Sequence, residues 1–550
     1  MIRGKIFGYI MSFVVIILFS GFFAGKDDIY FEISKNIDLF GNVYKEISLN
    51  YVDEIDPEKF MEAGIKGMLG SLDPYTIFID ENKKDDIDLI TNGKYGGVGI
   101  SIGIRADKVT VVEVLEGYSA QRQGLRIGDV LIEAGGVTIG PENVDEISNL
   151  VKGDPGTEVN LKVIRNGDKD TLIFNLIREE IIIKNLVYSG FYPENSNNVY
   201  LKLANFSRSA GDEVKRALKN LKEEKEINSI ILDLRGNPGG LLDVAVDIVD
   251  KFIDKGQLIV STKGRDIDSK KEYFGVQEPM IGNAKLVVLI NEGSASASEI
   301  VAGAIQDHDR GVILGTKSFG KGLVQTITPL NFNTSIKITT ARYYTPSGRC
   351  IQKIDYSKDN DIFVNVDSVT STPFSTDNKR LVYGAGGITP DTTVNFRNDG
   401  GITADLLAKG FMFKFADYYY YKNLDDKFSS LKNEKIFSEF EDFLRLNNYV
   451  YTSDAEKQLA SLITDAQKKQ LNENIIADLE RAKNHFEGNI SIDLKLYKNE
   501  ILREIKSELA SRYIGIEGKI EELLKYDDQY QTALTVADND LIYNGLLNNK

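Results

Sequence analysis

The sequence is poor in the residues on which many active sites depend. It has one cysteine, Cys350, and two histidines, His308 and His485, among 550 residues. A single cysteine excludes an intrachain disulfide and a zinc site built from thiolates. Two histidines are too few for a histidine-rich metal site, and no HExxH motif occurs. We therefore expect no metal and no cofactor, and an enzyme with a serine nucleophile would need one of these two histidines or a different base.

Long basic runs are also missing. The formal net charge is −16, from 82 acidic and 66 basic residues. Because nucleic-acid binding depends on clustered lysine and arginine, we expect no nucleic-acid partner. A hydrophobic content of 42% and a charged content of 27% are typical of globular proteins, and the length predicts several domains.

A long apolar segment lies at the N-terminus. Two basic residues precede it, and it runs from Ile6 to about Ala24. It is long for the apolar part of a secretion signal and just long enough to cross a bilayer. Basic residues ahead of such a segment favour a cytoplasmic N-terminus with the rest translocated. We predict that residues 1–26 are a signal peptide or a membrane anchor, and that the protein is periplasmic or anchored to the inner membrane facing the periplasm.

The remaining chain changes character along its length. Residues 27–92 are polar with apolar residues at helical spacing, which predicts a helical region. Residues 93–170 hold glycine-rich turns between short strands. From 171 to 400 predicted strands alternate with helices, which favours an α/β sandwich. Residues 401–550 are charged and mostly helical, so they are either a docking region or a solvated extension.

Three serines follow a predicted buried strand in the stretch NEGSASASE, which runs from Asn291 to Glu299. Apolar residues at helical spacing follow it. Serine is a favoured N-cap residue, so a serine-rich helix start needs no chemistry. Alternatively, one serine is a nucleophile, exposed on a tight turn at the positive end of the helix. The local pattern leaves both interpretations open.

Two further turns carry groups that would complement a nucleophile. In DLRGNPGG, Gly239 and Gly240 allow close backbone approach, and such a turn can present N–H groups to an oxyanion. In SFGKGLVQ, an extended backbone would place Lys321 and Gln325 on one face. A lysine acts as a general base only where burial lowers its pKa from about 10.4 toward 7–8. A surface lysine beside a turn is the alternative.

These stretches resemble the C-terminal processing peptidases, also called tail-specific proteases. The family's motifs occur in order across about residues 35–395: LDPYT, GGVGI, GLRIGD, DLRGNPGG, GSASASE, SFGKGLVQ and TTARYYTPSGR. The resemblance implies an α/β multidomain protein. It would have an α/β sandwich (ClpP/crotonase-like) protease core over residues 171–400, an inserted PDZ domain over residues 93–170, and helical N- and C-terminal regions.

The resemblance also implies roles for individual residues. Ser296 would be the nucleophile, Lys321 the general base and Gln325 the residue that orients the lysine. The oxyanion hole would be formed by the backbone N–H of Ala297 together with that of Gly239 or Gly240.

A glycine-rich stretch resembles the carboxylate-binding loop of PDZ domains. It consists of Gly96, Gly97, Val98, Gly99 and Ile100. Successive backbone N–H groups there can bind the carboxylate of a chain terminus, while the next strand edge pairs with the peptide. An ordinary glycine-rich hairpin entry is the alternative. Whether such a domain also gates the active site stays open.

Together these features predict a serine endopeptidase with a Ser-Lys dyad. It would recognise C-terminal tails through its PDZ domain and cleave exported proteins by acyl-enzyme hydrolysis. The expected partners are protein or peptide substrates with C-terminal tails, and residues 401–550 leave open a homodimer contact or an adaptor dock. An uncleaved anchor would add association with the inner membrane. The alternative is a catalytically latent PDZ scaffold that binds protein C-termini.

Overall fold

The fold is that of a computed structural model, which describes residues 27–80, 92–105, 107–165, 170–356, 372–396, 400–486 and 490–548. The predicted signal peptide or anchor, residues 1–26, lies outside these ranges. Within the described ranges, no helix combines the length and the apolar character needed to cross a membrane.

A six-stranded sheet forms the centre of the predicted protease core. Its strands, in order across the sheet, are β10 (Leu186–Phe191), β11 (Asn198–Leu203), β12 (Ser229–Asp233), β15 (Lys285–Ile290), β16 (Val312–Gly315) and β21 (Thr392–Thr393). β10 is antiparallel to β11, and the other neighbours are parallel. Parallel neighbours need crossover connections, which here contain the helices α5 (Ala210–Glu224), α6 (Leu242–Val249) and α7 (Ala297–Asp307). The predicted α/β class is thereby confirmed.

The two faces of this sheet are buried by different parts of the chain. Ile230 and Leu232 of β12 pack with helices α5, α6 and α7. Ile231 points to the opposite face, where the C-terminal helices cover the sheet: α15 (Ile516–Leu524), α16 (Asp528–Asp538) and α17 (Asp540–Leu547). These helices therefore complete the protease core and are not a solvated extension.

A second, antiparallel sheet holds the hairpin that follows Lys321. Its order is β1 (Ile77–Ile79), β18 (Ser335–Tyr344), β13 (Leu258–Gly264) and β14 (Lys271–Phe274), and β17 (Leu323–Pro329) also pairs with β18. The strand β1 follows the helices α1 (Asp27–Asn50) and α2 (Pro57–Gly70). Strand pairing thus joins the N-terminal helical region to the protease core. The strands β19 (Pro373–Ser375) and β20 (Leu381–Tyr383) form a separate hairpin.

A third sheet forms the predicted PDZ domain. Its strands in order are β3 (Ile100–Arg105), β4 (Lys108–Val114), β5 (Val130–Ala134), β7 (Glu158–Ile164) and β8 (Leu172–Ile177), with β6 (Val137–Thr138) paired to β5 and the helices α3 (Ser119–Arg122) and α4 (Val144–Val151) between strands. The predicted boundary at residue 170 is too early, because β8 pairs with β7 along its whole length. A pair of connecting strands, β2 (Lys94–Gly97) and β9 (Glu179–Ile182), leads into and out of the domain.

Five of the other C-terminal helices surround a core of their own. They are α8 (Gly401–Ala408), α9 (Phe411–Lys422), α10 (Asn433–Leu446), α13 (Ile490–Leu496) and α14 (Lys498–Tyr513). The helices α11 (Asp454–Lys468) and α12 (Glu473–Phe486) pack against each other. The helix α9 also touches the PDZ domain, where the Arg126 guanidinium lies 5.0 Å from the centroid of the Tyr421 ring. The C-terminal region therefore contacts both the PDZ domain and the protease core.

Candidate active site

Three motif turns meet at one edge of the central sheet. β12 ends at Asp233, β15 at Ile290 and β16 at Gly315, and each is followed by one of the quoted glycine-containing stretches. The three strands are parallel neighbours, so their carboxyl ends lie side by side. Ligand sites of parallel sheets form at this edge. The strand order therefore assembles stretches that lie far apart in the chain.

Ser296 occupies a strained position at the start of α7. It is the N-cap residue, with φ 54° and ψ −113°. A non-glycine residue rarely has positive φ, and such strain persists only where the surroundings hold it. Here the Ser296 N–H donates to Glu299 Oε2 at 2.9 Å, and the Tyr343 hydroxyl lies 3.1 Å from the Ser296 carbonyl oxygen. The two contacts hold the backbone turn that carries the side chain of Ser296.

The other two serines of the stretch have structural partners. Ser294 Oγ accepts a hydrogen bond from Asn291 N at 3.0 Å and donates to Leu234 O at 2.8 Å. Ser298 Oγ donates to the carbonyl of Asn237 at 2.9 Å. Both serines are fully buried, and of the three only Ser296 lines the adjoining cavity.

The Glu299 carboxylate joins the turn that carries Ser296 to the turn that carries Lys321. It accepts four hydrogen bonds, from Ser296 N at 2.9 Å, Ser318 Oγ at 2.6 Å, Gly320 N at 2.8 Å and Lys321 N at 2.9 Å. Burial raises the pKa of Glu299 to about 7, although these donors act in the opposite direction. Glu299 was not among the predicted site residues. A glutamate three residues after an N-cap serine is the signal that would have found it.

Tyr343 makes a second link between the same two turns. Its hydroxyl lies 2.6 Å from the Lys321 carbonyl oxygen as well as 3.1 Å from that of Ser296. The side chain is buried, and burial raises its pKa well above the ordinary value. Tyr343 lies in the quoted TTARYYTPSGR motif, but nothing in the local pattern distinguishes it from Tyr344.

The Lys321 side chain lies partly buried with its ammonium over an aromatic ring. Lys321 Nζ is 4.2 Å from the centroid of the Tyr75 ring, which is a cation–π distance. Burial, and then the charge of Lys337, lower the pKa of Lys321 to about 8, while Asp73 and Glu299 act to raise it. In the described part of the chain, no hydrogen bond joins this ammonium to Ser296 or to Gln325.

Gln325 instead contacts the N-terminal region indirectly. Its Nε2 donates to Thr339 Oγ1 over a long 3.4 Å, and Thr339 N donates to Thr76 Oγ1 at 3.2 Å. Asp73 Oδ1 accepts from Tyr75 N at 2.9 Å and so shapes the turn that presents the aromatic ring. The LDPYT motif therefore belongs to the site, a contribution that sequence analysis did not identify.

One cavity of about 490 Å³ collects the predicted catalytic residues. Ser296, Lys321 and Gln325 all line it, as do the three candidates for the oxyanion hole. The remaining lining is largely apolar, with Phe206, Leu241, Leu242, Ile300, Leu323, Val324 and Ile327 among its members. A partly apolar cavity beside the Ser296 side chain suits a peptide substrate.

The turn that holds Gly239 packs directly against Ser296. A Cβ added to Gly239 would lie 2.9 Å from the Cβ of Ser296, and its φ is +99°, so only glycine fits. The Gly239 N–H donates to Asn237 Oδ1 at 2.9 Å. No acceptor among the described residues binds the backbone N–H of Ala297 or that of Gly240. In this conformation the backbone N–H groups of Ala297 and Gly240 are therefore available as donors to an oxyanion.

His308 has no place in this cavity. It is the C-cap residue of α7. Its ring nitrogens lie 2.9 Å from Asp377 Oδ2 and 2.7 Å from the carbonyl oxygen of Leu258. Both nitrogens are thus engaged away from Ser296.

The predicted carboxylate-binding stretch is divided between strand and turn. Gly96 and Gly97 belong to β2 and pair with β9, Val98 and Gly99 form the turn, and Ile100 begins β3. The stretch is therefore not one continuous loop, because pairing with β9 extends its first half. β3 lies at the edge of the PDZ sheet, the arrangement needed for strand addition by a peptide.

Four protein-family models match successive parts of the chain. The model of peptidase family S41 matches residues 197–362, and a PDZ domain model matches residues 110–165. The C-terminal helical domain of probable PDZ-proteases matches residues 402–537, and the N-terminal domain of the activating protease CtpB matches residues 25–83. The chain is 37% identical over 328 residues to a carboxy-terminal-processing protease of Bartonella bacilliformis, covering 59% of this chain and 74% of that protein. The chain belongs to the carboxy-terminal processing protease family.

A second relative shows a similar degree of identity. The chain is 32% identical over 326 residues to the carboxy-terminal processing protease CtpB of Bacillus subtilis, covering 58% of this chain and 67% of that protein. Among solved structures, the photosystem II D1 C-terminal processing protease aligns with 65% of this chain and 92% of its own at 25% identity, with a TM-score of 0.36. The predicted family, the class of serine-type peptidase and the α/β multidomain architecture with a PDZ domain are confirmed.

Proposed function

We propose that this carboxy-terminal processing protease cleaves exported proteins near their C-terminal tails with a Ser296–Lys321 dyad. The observation that carries the proposal is the cavity in which a strained serine at a helix N-terminus and a lysine of lowered pKa both lie. A lysine with a pKa of about 8 is neutral often enough at physiological pH to act as a base.

The reaction would proceed through an acyl-enzyme. Neutral Lys321 takes the proton of Ser296 Oγ as this oxygen attacks the scissile carbonyl. The N–H of Ala297, with that of Gly240, stabilises the oxyanion. Collapse of the tetrahedral intermediate breaks the C–N bond, and the Lys321 ammonium returns the proton to the leaving amine. Water then hydrolyses the ester with Lys321 again acting as base.

The contact with Tyr75 requires one movement before this reaction. The face of an aromatic ring attracts a cation and not a neutral amine. Deprotonation of Lys321 therefore weakens its attachment to Tyr75 and leaves the amine free to turn toward Ser296. Gln325, whose present hydrogen bond is long, lines the same cavity and would receive the amine.

Substrate recognition and location belong to the same proposal. We propose that the edge of β3, together with the glycine-rich stretch before it, binds the C-terminus of the substrate by strand addition. Residues 1–26 would direct the chain across the inner membrane and either be removed or retain it there. Sequencing the N-terminus of the mature protein from isolated envelopes distinguishes these two fates.

The decisive test uses the chain from residue 27 with a loosely folded protein that ends in an apolar tail. Wild type should cleave it, and Ser296→Ala and Lys321→Ala should not, as followed by mass spectrometry of the products. His308→Ala is the matched control and should retain activity. Tail binding without cleavage by any variant would favour the scaffold alternative, and cleavage by Lys321→Ala would require another base.

A further inference from the structure

The active-site cavity holds a second lysine that the dyad does not use. Lys337 lies on β18, two residues before Thr339, so both side chains project from the same face of the strand. It lines the cavity together with Lys321 and Gln325. Its Cα is paired with Ile327 on one side and with Ile77 on the other, so strands of two regions fix its backbone.

The Lys337 ammonium has no counter-charge in contact with it among the residues that the structure describes. Over the described residues, no hydrogen bond or ion pair involves its ammonium, and no aspartate or glutamate lines the cavity. The nearby carboxylate of Asp73 is engaged by its own turn, with Oδ1 accepting from Tyr75 N and Thr76 N and Oδ2 from Thr76 Oγ1. This is notable in a chain with 82 acidic residues, where a partner for a structural lysine is readily supplied.

A half-buried ammonium without a partner is costly to retain. Burial lowers the pKa of Lys337, with Asp73 opposing, and its charge lowers that of Lys321 in turn. Lys337 is poorly placed to be the base itself. Glu299 joins the Lys321 backbone to the turn that carries Ser296. Lys337 lies farther along the hairpin, beyond the Gln325–Thr339 pair. A ligand that supplies negative charge would offset the cost of its burial.

We propose that Lys337 binds a carboxylate of the bound substrate, either the α-carboxylate that ends the cleaved tail or an acidic side chain near the scissile bond. The inference rests on the proposed proteolytic function. The catalytic cavity would then contain a second site that recognises the chain terminus, separate from the site in the PDZ domain. A substrate lying along the β17–β18 face would reach Ser296 and Lys337 together.

The test compares matched quenched peptides on the chain from residue 27. Each peptide has neutral residues around the cleavage site and one of three tail lengths, and it is made as the free acid, as the C-terminal amide, and as an amide with one glutamate in the tail. The variants are Lys337→Met, which keeps an apolar stem, Lys337→Arg, which keeps the charge, and Lys271→Met. Lys271 is an exposed lysine on β14 of the same sheet and serves as the matched control.

We expect wild type to prefer the free acid over the amide by about tenfold in kcat/KM, as for a hydrogen bond to a charged group. Lys337→Met should reduce that ratio about tenfold, and Lys337→Arg and Lys271→Met should retain it. Because the PDZ domain is unchanged in every variant, its preference cancels in the comparison. If a glutamate in the tail restores cleavage of the amide peptide by wild type but not by Lys337→Met, the carboxylate that Lys337 binds is an acidic side chain.

Equal preferences in wild type and Lys337→Met would overturn the inference. Binding of the same peptides to Ser296→Ala, with and without Lys337→Met, repeats the comparison without catalysis. If wild type cleaves no peptide, the proposed function fails, while the binding ratio still decides the role of Lys337.

Discussion

Activity should follow the ionisation of Lys321, because this lysine can accept the Ser296 proton only when it is neutral. Burial and the charge of Lys337 lower its pKa from 10.5 to about 8. At pH 7 about one lysine in ten is then neutral, against about one in 3,000 at the ordinary pKa. We expect kcat/KM to rise about tenfold per pH unit below 8 and to level off above it.

The protonation of Glu299 adds a second pH dependence to kcat/KM on the acid side of this profile. The pKa of Glu299 is raised to about 7 by burial, and its carboxylate holds both Ser296 N and Lys321 N. Protonation below pH 7 removes acceptor capacity from both turns. The slope should therefore steepen below pH 7.

Two substitutions separate these contributions. Lys337→Met removes the neighbouring cation, so the pKa of Lys321 and with it the rising limb move to higher pH. Lys321→Arg keeps a positive charge that cannot be removed in this range, and should lower kcat/KM by about 10²–10⁴-fold at every pH.

The assay is initial-rate cleavage of a quenched peptide from pH 5.5 to 10, with circular dichroism at each pH to confirm that the protein stays folded. A rise of kcat/KM with its midpoint near pH 6.5 would indicate a histidine base. A midpoint near pH 10 would mean that the cavity does not lower the pKa of Lys321. Activity retained by Lys321→Arg would refute the assignment of the base.

Three further predictions concern how the site is held. Glu299→Gln should lower kcat/KM by about 10²-fold and the free energy of unfolding by about 2 kcal/mol, since buried donors lose their acceptor; denaturant unfolding and peptide assays measure both, and wild-type values for both would contradict the role given to Glu299. Ser296→Gly should unfold with about 1 kcal/mol more free energy than Ser296→Ala, because glycine adopts the observed positive φ without strain; equal stabilities would mean that the turn is not strained. Gly128→Ala should loosen the PDZ domain from the C-terminal helices, because a Cβ there would lie 1.7 Å from Asp417 Oδ2; faster limited proteolysis near the PDZ domain would show it, with Gly135→Ala, whose added Cβ meets no atom within 4 Å, as the control.

Much of the architecture was predictable because hydrophobic patterning depends on local sequence. The uninterrupted apolar run of β15 predicts a strand buried on both faces, and the structure covers one face with α7 and the other with the C-terminal helices. The pattern does not say which elements cover it. A charged helical tail with apolar stripes is equally typical of a partner dock, so only the contacts decided that α15, α16 and α17 complete the core.

The candidate site divides in a similar way. The resemblance to the processing peptidases points to Ser296, Lys321 and Gln325, which the local patterns alone left undecided, and all three line one cavity. Tyr75 and Tyr343 are ordinary residues in sequence, and their roles arise from contacts with residues that lie elsewhere in the chain. The aromatic ring over Lys321, for example, comes from a turn 246 residues earlier in the chain.

The sequence by itself determined which residue types are candidates for the site. It also determined the strand–turn–helix units that carry these residues and the order of those units, because both depend on local composition and spacing. Only the tertiary structure decided the lowered pKa of Lys321, the position of its ammonium over Tyr75, and the lack of a hydrogen bond or ion pair at Lys337 among the described residues. Burial and electrostatic interaction depend on distances between segments that no local pattern specifies.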